Sequence, residues 1–146
     1  VTLGTIVFER RTREDGALSI MPLIDGIALI DRVATFEREY RCGGSGGRDG
    51  LVPEYFRFGP LDRHFMGRGE APSPARVVVL GCDCGEWGCN PFFCRVEVDA
   101  QAVRWSGFER FSGDEAYAAF GPFVFERGAY EQALKALPGV EDAERA

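Results

Sequence analysis

The chain has 146 residues, 45% of them hydrophobic and 27% charged. That suits one globular domain, which buries about two-thirds of its unfolded surface and needs no metal or disulfide in order to fold. A formal net charge of −6 argues against a general nucleic-acid binder, which needs a basic face against phosphates. No apolar run approaches the ~18–20 residues that span a bilayer, and the first residues lack a charged-then-apolar signal pattern. The expectation is a soluble protein without nucleic-acid or membrane partners.

In chain order, the apolar, β-branched segment 3–9 reads as a strand, and polar residues with Gly16 read as a turn. Segment 17–24 is a second strand, whose Pro22 implies an edge position or a strand end. Asp25-Gly26 is a turn signal. Ile30, Val33, Phe36 or Glu37, and Tyr40 then recur at steps of three and four, which predicts an amphipathic helix of about three turns. Cys42 and a glycine-rich tract stop it. The tract, 43–50, reads as a flexible loop inside one domain, because neither side carries a complete core.

The stretch 55–67 is aromatic and irregular, with a short helical turn expected around Leu61–Met66 and a proline-rich connector at 71–74. Strands follow at 75–82, 92–98, 102–108 and 120–125. A closing helix over 128–139 has Tyr130, Leu134 and Leu137 on one face, and Pro138-Gly139 ends it. The whole predicts an α+β fold: a single domain over 1–146 with a mainly antiparallel sheet of four to six strands and two to three helices. The tripeptide Phe-Glu-Arg begins at Phe8, Phe36, Phe108 and Phe125. Its spacings share no period, so it reads as a core Phe followed by an exposed ion-pairing duo at element ends.

Chemistry concentrates in one place. Four of the five cysteines fall between Cys82 and Cys94, in 80-LGCDCGEWGCNPFFC-94. An odd count clustered in one segment fits a reducing cytoplasm better than a secreted disulfide framework. If 75–84 and 89–98 are antiparallel strands, Gly85-Glu86-Trp87-Gly88 is a four-residue hairpin loop. Cys84 then opposes Cys89, and Cys82 opposes Pro91. Alternation puts Val77, Val79, Phe92, Cys94, Val96 and Val98 on a core face. Cys82, Cys84 and Cys89 converge at the loop end of the other face.

Three converging thiols have three readings. The first is zinc, whose structural sites are tetrahedral and thiolate-rich, with glycine letting backbone N–H groups approach the sulfurs. A single residue separates the first two ligands, and a fourth would have to be Cys42 or His64. The second is redox chemistry, since a directly opposed Cys84–Cys89 pair can bridge and Cys82 can attack it. The spacing shows no helix N-terminus, Lys or His that would lower a thiol pKa. The third is a hairpin of reduced thiols without catalytic role that contacts a protein partner through Trp87.

The string Leu80-Gly81-Cys82-x-Cys84-Gly85-x-x-Gly88-Cys89-x-Pro91 is followed by Val103-x-Trp105 and by Gly121-Pro122-Phe123-x-Phe125-x-Arg127-x-x-Tyr130. Together these resemble a family of uncharacterised bacterial proteins. The resemblance covers chiefly 78–137, with a weaker echo in 20–31, and implies no activity. Cys42 and Cys94 lie outside its pattern.

Elsewhere the signals are plain. His64, the only histidine, reads as a packing or surface residue before a ligand or general base. The tract 43–50 lacks the Gly-Lys-Ser/Thr ending of a phosphate loop, and the carboxylates are too scattered to nominate an acid/base pair. Trp105, alternating with Val103, reads as core. The first reading of function is therefore a non-enzymatic binding module that presents the Cys82–Pro91 hairpin to a protein partner, with no cofactor required. The alternative is a zinc-binding or thiol-redox protein using Cys82, Cys84 and Cys89.

Overall fold

The computed structural model describes residues 2–42, 46–69 and 76–137. Strands β1 (Leu3–Gly4) and β2 (Ile6–Thr12) replace the single strand expected over 3–9. Burial alternates at the start of β2, with Ile6 and Phe8 inside and Val7 outside, as a half-covered strand requires. A turn held by the Asp15 carboxylate, which accepts the Ala17 N–H at 3.0 Å, returns the chain into β3 (Leu18–Ile24). Strand β4 (Ile27–Ala28) completes a three-stranded sheet in the order β2-β3-β4. Pro22 is buried on β3, where its second edge is open. Leu51 pairs that edge at Ile20, and β4 pairs it only at Leu23 and Ile24. Proline sits in the gap where no ladder N–H is needed.

Helix α1 (Leu29–Tyr40) buries Leu29, Val33 and Phe36. The buried stripe is thus rotated from the one the spacing suggested. Leu29 replaces Ile30, and Tyr40 is 57% exposed, stacking on Phe36 with ring centroids 4.3 Å apart. Arg41 ends the helix in the left-handed region. Of the glycine-rich tract, 43–45 lie outside the described residues. Its second half is not a free loop, because β5 (Arg48–Asp49) pairs with the strand that carries Cys82. The short helix α2 (Leu61–Phe65) stands where expected, whereas the 71–74 connector and the Pro138-Gly139 stop lie outside the described residues.

Strands β6 (Arg76–Cys82), β7 (Phe92–Val98), β8 (Ala102–Glu109) and β9 (Phe123–Glu126) follow. The last starts three residues later than the sequence suggested. Helix α3 (Arg127–Leu134) begins directly after it, with the Glu126 side chain accepting the Gly128 and Ala129 N–H groups. It is shorter than expected, but Tyr130, Leu134 and Leu137 are all buried.

The larger sheet has the order β1-β9-β8-β7-β6-β5. The architecture is α+β with three helices, but the expected single, mainly antiparallel sheet is corrected twice. There are two sheets, and the six-stranded one is mixed because β1 runs parallel to β9. Between them lies an aromatic core in which Trp105, Tyr130, Phe8 and Phe65 are fully buried. The Trp105 Nε1–H donates to the Tyr130 hydroxyl at 3.0 Å, and that hydroxyl donates to the Phe65 carbonyl at 2.6 Å. These three buried polar groups are thereby paired, as most are in a protein interior.

Phe8, Phe36, Phe108 and Phe125 of the recurring tripeptide are all buried. The charged residues after them do not pair with one another. Glu37 meets Arg48, Glu109 meets Arg76, Arg110 meets Asp114 and Arg127 meets Glu131. Phe8 and Phe36 also sit inside elements, not at their ends.

Candidate functional site

The site forms where β6 runs out. The observed register pairs Arg76 with Arg95, Val77 with Cys94 and Val78 with Phe93, then slips at a bulge so that Leu80 faces Phe92. This is two residues from the symmetric pairing that the sequence suggests before the bulge, and one residue from it at Leu80. Residues 83–91 therefore form a nine-residue loop instead of a four-residue turn, and Cys84 and Cys89 are not cross-strand partners. Both faces of the strands near the loop are covered: Val77, Val78, Val79 and Leu80 are all buried.

The thiols converge all the same, through the loop's own folding. The Cys82 N–H donates to the Glu86 carbonyl at 2.9 Å, and the Gly85 N–H donates to the Cys82 carbonyl at 3.0 Å. Gly85 adopts φ +104°, and a Cβ there would lie 3.0 Å from the Tyr55 ring, so only glycine suits this tight turn. The backbone then aims donors at sulfur. The Cys84 N–H points at Cys82 Sγ at 3.4 Å, and the Glu86 N–H is hydrogen-bonded to the Cys84 sulfur. Cys82 is buried, while Cys84 and Cys89 are exposed. The three Sγ atoms all lie within 4.8 Å of one another.

Several residues that no spacing rule singles out hold this loop in place. The Arg13 guanidinium donates to the Asp83 carbonyl at 2.6 Å and reaches the Asp49 carboxylate at 3.5 Å. The Asp83 N–H donates to the Gly47 carbonyl at 3.0 Å, and Asn90 Nδ2 donates to the Gly46 and Gly47 carbonyls at 3.1 Å each. The turn after β2, the glycine tract and the cysteine loop are thus tied together. These contacts are long-range and mostly to backbone, which leaves no signature in residue order.

The thiols differ in proton affinity. The Cys84 N–H favours a thiolate at Cys82, but burial and the neighbouring Cys84 and Cys89 sulfurs outweigh it and push that thiol up to about 12. The Cys84 thiol is drawn below its ordinary value, first by the Glu86 N–H and then by the Cys82 thiol. Protein donors thus favour negative charge at the exposed sulfur, and a thiol neighbour helps to hold it. Cys94 is fully buried in the core, and burial raises its thiol well above the ordinary value.

Neither proposed fourth ligand joins the group. His64 is fully buried, its Nε2 lies 2.8 Å from the Val78 carbonyl, and its ring packs on Phe56 and Phe65. Burial lowers its pKa to about 4. Cys42 follows α1, with its N–H on the Glu37 carbonyl, and is not among the thiols within reach. Trp87 does not stand out at a tip. It is half-buried, edge-on to Phe58 with centroids 5.1 Å apart, and packs against the core.

Cys82, Cys84 and Cys89 are close enough to hold one metal ion. A zinc with ~2.3 Å bonds sets two sulfurs about 3.8 Å apart, so a small inward movement of exposed side chains suffices. No helix among the described residues is long and apolar enough to cross a membrane. Set against protein-family models, curated proteins and solved structures, the chain matches none.

Proposed function

We propose that the protein binds a zinc ion through the thiolates of Cys82, Cys84 and Cys89. The observation that carries this reading is the convergence of three sulfurs within 4.8 Å where β6 ends and its loop begins. Thiolates suit zinc and other soft or borderline ions. The Glu86 N–H favours the charged form of the Cys84 sulfur, and at Cys82 the Cys84 N–H acts in the same sense against the burial and neighbouring thiols that raise it. A disulfide would engage two of the sulfurs and leave those donors and the third thiol without a task. The ion would tie the loop 83–91 together from within, as Arg13 and Asn90 tie it from without.

The test is elemental analysis of protein purified reduced and without chelator. About one zinc per chain is expected, falling towards zero in Cys82→Ser and Cys84→Ser and clearly in Cys89→Ser. Full metal content in all three variants, or a metal-free wild-type chain that also fails to take up added zinc, sinks the reading.

A further inference from the structure

We infer that the fourth coordination position at this site is left open by the chain and accepts an external thiolate. The inference rests on the zinc reading and says what the site is for: a three-thiolate centre that captures small thiols.

The chain's cysteine and histidine donors can be exhausted one by one. It has five cysteines and one histidine, and none of them falls outside the described residues. Three cysteines form the group. Cys94 lies on β7 with no exposed surface, inside the core. His64 is equally buried, its Nε2 engaged by the Val78 carbonyl and its ring between Phe56 and Phe65, so reaching the loop would require unpacking α2. Cys42 sits at the end of α1, near Arg110, and is not within the group. No cysteine or histidine of this chain therefore remains for the fourth position.

Two carboxylates flank the group, Glu86, whose charge acts on the Cys84 thiol, and Asp83. Its Oδ1 lies 3.6 Å from Cys82 Sγ and accepts from that thiol. It is not among the ligand atoms that lie within 4.8 Å of one another. The backbone on both sides of its side chain is pinned, by the Gly47 carbonyl at its N–H and by Arg13 at its carbonyl. The two exposed sulfurs, Cys84 and Cys89, place the remaining position on the solvent side. Closed tetrahedral sites are structural, whereas three protein ligands with an open position leave room for an incoming group. On an ion already held by three sulfurs, the donor that matches is another sulfur. The step is a ligand exchange: the incoming thiol loses its proton to solvent as its sulfur displaces water from the metal, and no electron changes hands.

Cobalt(II) in place of zinc makes the position visible, because its absorption bands report the number of sulfur ligands and the coordination geometry. The reduced full chain is loaded with one equivalent of cobalt(II) and titrated with 2-mercaptoethanol, alongside Asp83→Ala and Cys42→Ser. The expected result is a saturable change in the cobalt bands towards a four-sulfur spectrum, in the wild type and in both variants. Cobalt bands that ignore the thiol in the wild type overturn the inference while leaving the zinc reading intact. A wild type that ignores it while Asp83→Ala responds would show that Asp83 closes the site, which also overturns the inference. Failure to bind cobalt or zinc at all overturns both.

Discussion

At the residue scale, His64 shows how the same side chain reads differently once its surroundings are known. In sequence it is the lone imidazole and so a candidate ligand. In the structure its Nε2 faces the Val78 carbonyl, which can only accept, so Nε2 carries the hydrogen. Nδ1 is then buried with no hydrogen-bond partner among the described residues. A second proton would have to be placed there, among aromatic rings, which is why its pKa falls from 6.5 to about 4. The unfolded chain takes up this proton first as pH drops, so the contribution to stability is complete above pH 6.5 and is lost as pH falls towards 4. At ~1.4 kcal/mol per pH unit the loss is roughly 3 kcal/mol. Urea denaturation across that range should show this slope in the wild type and a flatter one in His64→Gln, which keeps an N–H for Val78 and does not titrate. Equal slopes in the two proteins would remove His64 as the cause.

At the element scale, the glycine tract has a structural task that its composition hides. After β5 the chain passes along the open edge of β3. The Ile20 N–H donates to the Leu51 carbonyl at 2.7 Å, and the Leu51 N–H donates back to Ile20 at 3.1 Å. A Cβ on Gly50 would lie 2.3 Å from the Ile20 carbonyl oxygen, which no side-chain movement can relieve because the obstacle is backbone. Gly50→Ala should therefore destabilise the protein by about 3 kcal/mol, as forced backbone shifts in packed regions do. The check is the midpoint of denaturant unfolding, and a change within ~0.5 kcal/mol would place the strain elsewhere. Because β5 pairs with the Cys82 end of β6, the same change should also loosen the three-thiol group proposed to hold zinc. The strands β3, β6, β7 and β8 were legible because each is a short β-branched or aromatic run with its own periodicity. The pairing of β1 with β9 was not, since parallel partners more than a hundred residues apart leave no local mark. The meeting of the three thiols was legible, but its geometry was not. The spacing shows the cysteines close in sequence, whereas the bulge at Val78–Leu80 and the N–H···S contacts arise only once the loop has folded.

At the scale of the whole molecule, stability and chemistry occupy different regions, and that separation can be tested. Trp105, Tyr130 and Phe65 come from β8, α3 and α2, and a chain of two buried hydrogen bonds joins them. Tyr130→Phe keeps the ring in its stack on Phe125, with centroids 5.7 Å apart, and removes only the hydroxyl. It leaves the Trp105 N–H and the Phe65 carbonyl buried without partners. Orphaning a buried polar group costs about 1–3 kcal/mol, so with some relaxation the variant should lose about 3 kcal/mol of global stability. Cys82, by contrast, lies at the open end of β6, beyond the bulge, and its two companion thiols are exposed. The three-thiol group, held by its own loop and by Arg13 and Asn90, should not register the loss. The expected outcome for Tyr130→Phe is a lowered denaturant midpoint and, on the zinc reading, an unchanged zinc content per folded chain. A variant that loses zinc while still fully folded would mean that core packing sets the sulfur geometry, and the loop could no longer be regarded as a self-contained metal site.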